Sequence, residues 1–328
     1  GRHLLAGLFS FPGETITMTC RHSQQPAAGV CLNITGRRRP PYRPTAWRGK
    51  HGIFGYAMDA KTSKPVRDPA TGLPIATIIN YMLPDGRDIC PAQIRAGCKA
   101  PCLNTAGRGA MNSVQQSRAA KTARFRADPD LFLEQCVEEI EAFIRFCVRR
   151  HMVPACRFNG TSDRPDFAAR LAARFPSVIF YDYTKLTSWA ERYAAGRWLP
   201  FNYHLTLSWS GASNRYRDNV ESVAGIWSDL NLAVVFGTEE IRDSWIETGR
   251  LFLGRPVISG TAHDCRIPSI DGRGVIVGLV AKGKAKRDRT GFVTRRLPLF
   301  GDYPRPTVTA EPAPVLYRDE MDGATYYA

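Results

Sequence analysis

No apolar run in this chain approaches the ~18–20 residues that span a bilayer, and the stretch Leu4–Phe11 is too short and too poorly flanked for a secretory signal. There is no internal repeat, which sets repeat architectures aside. Acidic residues are scarce: 30 Asp and Glu stand against 45 Lys and Arg, a formal charge of +15 that suits a polyanion partner. An even cysteine count is missing too. Nine cysteines in 328 residues, three of them crowded together, read as reduced thiols with a metal or catalytic role rather than a secreted disulfide framework. These absences point to a cytoplasmic protein with no membrane partner. What is present is a chain with 44% hydrophobic and 23% charged residues, able to bury a substantial core and neither collagen-like nor globally disordered.

The basic excess is uneven. Residues 1–50 hold eight basic side chains and one acid, Glu14, so +7 of the +15 falls there, in a segment without sustained periodicity and with a Pro/Arg run from Gly36 to Pro44. It reads as a disordered extension, or as a basic arm for nucleic acid. The chain opens on Gly1 and its first methionines are Met18 and Met58, so no fold argument rests on this segment. The tail over 297–328, with Pro298, Pro304, Pro306, Pro312 and Pro314, reads as extended and peripheral.

Between them, residues 51–296 are orderly. Turn residues at Asp68–Gly72 suggest a hairpin, and Ile75–Met82 is a short apolar run. Asp128-Pro129 opens the clearest helix, with an N-cap, a proline in the first turn, apolar residues from Leu131 to Cys147 at helical spacing, and cations at Arg149-Arg150-His151. Apolar runs then recur roughly every twenty-five residues: Val153–Phe158, Val178–Tyr183, His204–Ser208, Leu232–Phe236, Val257–Ile258 and Val275–Leu279. Amphipathic stretches at Phe167–Phe175, Trp189–Ala195, Asn219–Ile226 and Glu239–Thr248 separate several of them. Strands alternating with helices predict an α/β fold with a mostly parallel sheet, a (β/α) barrel or partial barrel, with a cysteine-bearing loop before the first long helix.

That loop is the strongest chemical signal. Cys90, Cys98 and Cys102 fall within thirteen residues on a segment rich in Pro and Gly. Soft thiolates so spaced suit zinc or an iron–sulfur cluster, and three of them leave one coordination position for a remote side chain or an exogenous ligand. His263 and Cys265 are the best remote candidates; their bland reading is a buried thiol and an exposed imidazole. Cys136, Cys147 and Cys156 sit on apolar faces and read as core. Just beyond the thiols, small residues alternate with cations, including Arg108, Arg118, Lys121 and Arg124. They suit an anion or phosphate, and equally a solvated helix face.

Parallel strands put their site at the carboxyl ends. Polar residues follow four successive strand predictions: Asn159, Gly160, Thr161, Ser162 and Asp163; Asp182 to Lys185; Ser208 and Ser210; Gly237 and Thr238. Together they read as a hydrogen-bonding rim around one pocket, although helix N-capping accounts for Asp163 and Ser210 individually. Lys185, directly after a buried-looking strand, needs an acid or an anionic ligand. Lys185 and Asp163 are therefore the candidate catalytic pair.

The ordered set Cys90-Pro91, Gly97-Cys98, Cys102-Leu103, Ala106-Gly107-Arg108, Arg118-x-x-Lys121-Thr122, Asp128-Pro129-x-x-Phe132, Arg157-x-Asn159-Gly160-Thr161-Ser162-Asp163, Tyr181-x-Tyr183-Thr184-Lys185, Leu199-Pro200-x-Asn202 and Gly278-Leu279-x-Ala281-Lys282-Gly283 resembles the "gene product 88" domain family over about residues 55–285. The resemblance implies a protein of bacteriophages and prophages, hence the host cytoplasm, and names no activity. The layout is more distantly similar to radical S-adenosylmethionine enzymes, in which a three-cysteine loop after the first barrel strand holds a 4Fe–4S cluster. That likeness implies Cys90, Cys98 and Cys102 as cluster ligands, with S-adenosylmethionine near Asn159–Asp163 and along the rim. The spacing here is Cys-x7-Cys-x3-Cys in place of the usual Cys-x3-Cys-x2-Cys, and no clear Gly-Gly-Glu segment is present. Two functions follow as expectations: a radical-type enzyme acting on a nucleotide or nucleic acid, or a zinc-stabilised nucleic-acid-binding or processing protein.

Overall fold

The computed structural model describes residues 47–57, 66–197 and 199–297, together with the backbone of short strands at Phe9–Phe11, Glu14–Ile16, Tyr317–Arg318 and Thr325–Tyr326. The basic extension and the proline-rich tail otherwise lie outside the described residues. The chain divides into Gly1–Ala46 and Trp47–Ala328, and the architecture below is that of the second unit.

Its strands are β1 (Phe54–Ala57), β2 (Ile75–Asn80), β3 (Val153–Arg157), β4 (Ile179–Thr184), β5 (Tyr203–Ser208), β6 (Leu232–Phe236), β7 (Leu251–Phe252), β8 (Arg255–Ser259), β9 (Ile276–Val280) and β10 (Val293–Thr294). Its helices are α1 (Asn112–Ala127), α2 (Pro129–Arg150), α3 (Pro165–Arg174), α4 (Thr187–Ala194), α5 (Asn214–Ile226), α6 (Glu239–Glu247) and the single turn α7 (Pro268–Asp271). The strands form one sheet in the order β1-β2-β3-β4-β5-β6-β9-β8-β7, with β10 also against β6. β2 to β6 are parallel, while β1 and β7 run antiparallel to their neighbours. The ladders among the described residues leave the sheet open.

The long helix forms where capping and periodicity place it. The Asp128 carboxylate accepts the Leu131 N–H at 2.8 Å, and His151 ends the helix with φ of 54°. α1 is the helix that apolar periodicity does not announce. Its buried positions are Arg118, Lys121, Thr122 and Phe125, which follow the i, i+3, i+4, i+7 pattern with two cations among four residues.

Alternation along the strands divides the sheet into two faces. Ala76, Ile78, Cys156, Phe158, Phe180, Tyr203 and Leu205 pack against α2 and α3, and Leu207, Leu232, Val234, Phe236 and Ile276 pack against α5 and α6. Cys136, Cys147 and Cys156 belong to this helix-covered core. On the opposite face Ile75, Ala155 and Tyr181 meet Cys265 and Ile267 from the segment that links β8 to β9. Topology explains that cover. Parallel crossovers are right-handed in nearly all sheets, so consecutive steps from β2 to β6 put their helices on one side. The step from β8 back to β9 reverses direction along the sheet and sends its connector to the other.

Candidate functional site

The cysteine loop leaves β2, the first parallel strand, and is tied to the carboxyl ends of its neighbours. The Asp163 N–H donates to Ile89 O at 2.9 Å, the Thr161 hydroxyl to Met82 O at 2.5 Å and the Ser210 hydroxyl to Ala96 O at 2.7 Å. Within the loop, Cys98 N–H donates to Gln93 O at 3.1 Å, and the Cys102 sulfur accepts from Asn104 N at 3.5 Å and caps a short turn. Gly97, at φ of 65°, sits where a Cβ would lie 2.3 Å from the Ala212 Cβ, so only glycine allows the loop to approach the end of β5 this closely.

Three features meet at these strand ends. Cys90, Cys98 and Cys102 are free, half-buried and within electrostatic reach of one another. Lys185, half-buried after β4, feels all three thiols and Asp163. Asp163 is buried, accepting the Thr184 hydroxyl at 2.8 Å and the Lys185 N–H at 2.9 Å. Burial, reinforced by Asp163, raises the Cys90 thiol far above its ordinary range, and burial also raises Cys98; Lys185 opposes both. Burial pulls on the Lys185 ammonium in the other direction, yet Asp163 and the ionised forms of Cys98, Cys102 and Cys90 raise it above its ordinary value. With their own values raised, Cys90 and Cys98 are protonated at neutral pH.

The other predicted rim residues are engaged in holding the strand ends. Asn159 donates to both Asp182 oxygens, at 2.8 and 2.9 Å, and its carbonyl accepts from Ser162 Oγ and Arg164 N. Gly160 packs where a Cβ would lie 2.6 Å from Asn80 O, so its role is close chain approach. Neither Asp163 nor Ser210 is an N-cap: α3 begins after Arg164 with no side-chain cap, and Ser213 caps α5. Ser208 is buried at the end of β5, where its carbonyl accepts from the Tyr216 hydroxyl at 2.6 Å. Arg108 is exposed on a 3-10 turn. Lys121 is buried elsewhere, donating to Ile53 O at 3.1 Å, and burial lowers it to about 8. Its surroundings are Arg118, Glu139 and Arg124.

His263 and Cys265 do not join the thiols. Cys265 is buried with Ile75, Ala155 and Tyr181, and His263 bonds the Cys265 carbonyl at 2.9 Å and faces Asp271 at 3.6 Å. A cleft of about 450 Å³ lies between Trp209, Arg217 and Glu221 on one side and Gly291 to Arg296 on the other, and no candidate site residue lines it.

Sequence reasoning did not single out Arg157. It ends β3 on the face away from the helices, its guanidinium 5.0 Å from the Tyr183 ring centre, and it is 8% exposed. Its signals were a charged residue closing an otherwise apolar strand and its place at the head of the Arg157–Asp163 segment of the family resemblance.

The fold is a mostly parallel α/β one with three free thiols near one another on a loop tied to the carboxyl ends of its strands. The chain belongs to the gene product 88 family, whose model matches residues 56–296. No curated protein and no solved structure matches it. Among the described residues no helix is long and apolar enough to cross a membrane.

Proposed function

We propose that Cys90, Cys98 and Cys102 hold an iron–sulfur cluster and that the protein is a radical-type enzyme acting on a nucleotide or nucleic acid. The observation that carries this reading is the meeting of three thiols with Lys185 and Asp163 at the ends of parallel strands. The donor set fits: thiolates are the ordinary ligands of such clusters, and a Gly- and Pro-rich loop can wrap one. Among the described residues no three His, Cys, Asp or Glu side chains are gathered closely enough to hold a metal ion, so the loop would have to draw the thiols together around either a cluster or a zinc ion.

Among the described residues the protein would supply three thiolates and no fourth ligand, since the Asp163 carboxylate is engaged by Thr184 and Lys185 and the His263–Cys265 pair lies elsewhere. The open position would take an exogenous ligand, S-adenosylmethionine in the likeness drawn above, with the strand ends as an incomplete barrel around it. When bound, the cluster would supply one-electron chemistry. Lys185 places a positive charge beside the thiolates and favours their ionised form, while Asp163 fixes the backbone that carries Lys185.

Anaerobic purification followed by iron, sulfide and zinc quantification tests this. Iron and acid-labile sulfide in comparable amounts, both lost in Cys98→Ala, are expected. Stoichiometric zinc without sulfide, or iron content unchanged in Cys98→Ala, overturns the reading.

A further inference from the structure

The face of the sheet away from the helices carries a buried arginine, Arg157, that forms no salt bridge among the described residues. Its Nε has no hydrogen-bond partner. Its electrostatic neighbours are Tyr183, Tyr81, Tyr181 and Asp182. Tyr181 and Tyr183, raised by burial, are uncharged at neutral pH. Asp182 already accepts from Asn159 N, Asn159 Nδ2 and the Tyr203 hydroxyl, the last at 3.1 Å. A guanidinium cannot release its proton to escape burial, so it calls for an anion.

A second guanidinium adjoins the same aromatic group. Arg118 lies 5.0 Å from the Tyr81 ring centre, is 8% exposed, and also has a buried Nε without a partner. Its hydrogen bonds go to the backbone and side-chain oxygens of Asn104, neither of them charged. Arg266, the other arginine near Tyr183, is paired with Asp271 at 2.8 Å, which shows how this fold neutralises a buried arginine when it does so internally. Tyr81 and Tyr183 are half-buried, so the group that Arg157 and Arg118 share has access from outside.

We propose that Arg157 and Arg118, with Tyr81 as their common neighbour, bind the oxyanion end of a small ligand, a phosphate or a carboxylate. Planar guanidinium forks match either group in two-pronged fashion, and the two tyrosines hold the forks by stacking. Arg118 also feels Cys102, so the site borders the thiols and is tested without a cluster.

The test uses the full chain, purified as Cys98→Ala so that metal content plays no part, with ligand binding followed by calorimetry and by the shift in thermal midpoint. Pyrophosphate and a nucleoside monophosphate probe the phosphate source, and succinate probes the carboxylate source. At least one probe is expected to bind and raise the midpoint. Arg157→Met should weaken that binding tenfold or more without lowering the midpoint of the ligand-free protein, and Arg157→Lys should restore only part of it. Arg118→Met, in the same assay, should weaken binding and serves if Arg157→Met does not fold. Failure of all three probes to bind at millimolar concentration overturns the proposal, as does unchanged affinity in Arg157→Met or, where that variant does not fold, in Arg118→Met.

Discussion

The two faces of the central sheet are built on different terms. The helix-covered face holds two large apolar clusters, one of them built on Phe132, Phe143, Phe158, Phe167 and Phe180, and every helix from α1 to α6 contributes to one or the other. The opposite face holds a small apolar cluster under the β8–β9 connector, and beyond it Arg157, Tyr183 and the Arg266–Asp271 pair. The helix side buries arginines too, but Arg242 is paired with Asp243 and Arg255 donates to backbone carbonyls, whereas the Arg157 Nε has no partner. Under the oxyanion proposal above, the helix face supplies stability and the other face recognition.

The largest effect should come from the helix face. Phe143 is fully buried, with its ring 5.2 Å from that of Trp47 and 6.1 Å from that of Phe146. Phe143→Ala should cost about 3–5 kcal/mol in urea unfolding.

A pH series sharpens the comparison, because this face also holds a carboxylate at its strand ends. Burial lifts Asp182 to about 7. Between about pH 4 and 7 the folded chain keeps a proton there that the unfolded chain has lost, so this contribution to stability falls as pH rises. His204, at the start of β5, is lowered by burial to about 4. Between about pH 4 and 6.5 it is neutral when folded and charged when unfolded, so its contribution falls as pH drops. The two slopes, each about 2–4 kcal/mol across its window, oppose one another. His204→Gln should leave a stability that declines from pH 4 to 7, and Asp182→Asn one that improves over the same range; denaturant titrations at three pH values distinguish them.

Gly160→Ala, which forces a Cβ against Asn80 O, Ile79 and Tyr81, should cost about 1–3 kcal/mol by the same assay. The smallest effect carries the opposite sign. Arg157→Met removes a buried charge that forms no salt bridge among the described residues and should change stability by about 0–2 kcal/mol in the stabilising direction. A loss as large as that of Phe143→Ala would erase the distinction between the faces.

Much of the fold was legible because its signals are local. Asp128-Pro129, the apolar spacing to Cys147 and the recurring strand runs mark elements whose observed bounds differ by a few residues, as in Phe167–Phe175 against Pro165–Arg174. α1 was ambiguous because its buried face includes Arg118 and Lys121, and a cation at a core position defeats apolar periodicity. The cysteine loop and the polar strand ends were visible as composition. Their division of labour was not: Asn159 and Ser162 look as suited to a ligand as Asp163, yet their atoms are engaged in pinning Asp182 and Arg164.

By itself, the sequence determined the alternation of strand and helix, the place of three thiols after the first parallel strand, and the apolar side of each element, since all of these follow from spacing along the chain. Only the tertiary structure decided that Lys185 and Asp163 lie beside Cys90, Cys98 and Cys102, that Cys265 does not, and that Arg266 is paired with an acid while the Arg157 Nε has no partner. The physical reason is strand order. Reversal between β8 and β9 carries the connector onto the far face, and that non-local choice sets which buried charges find a partner.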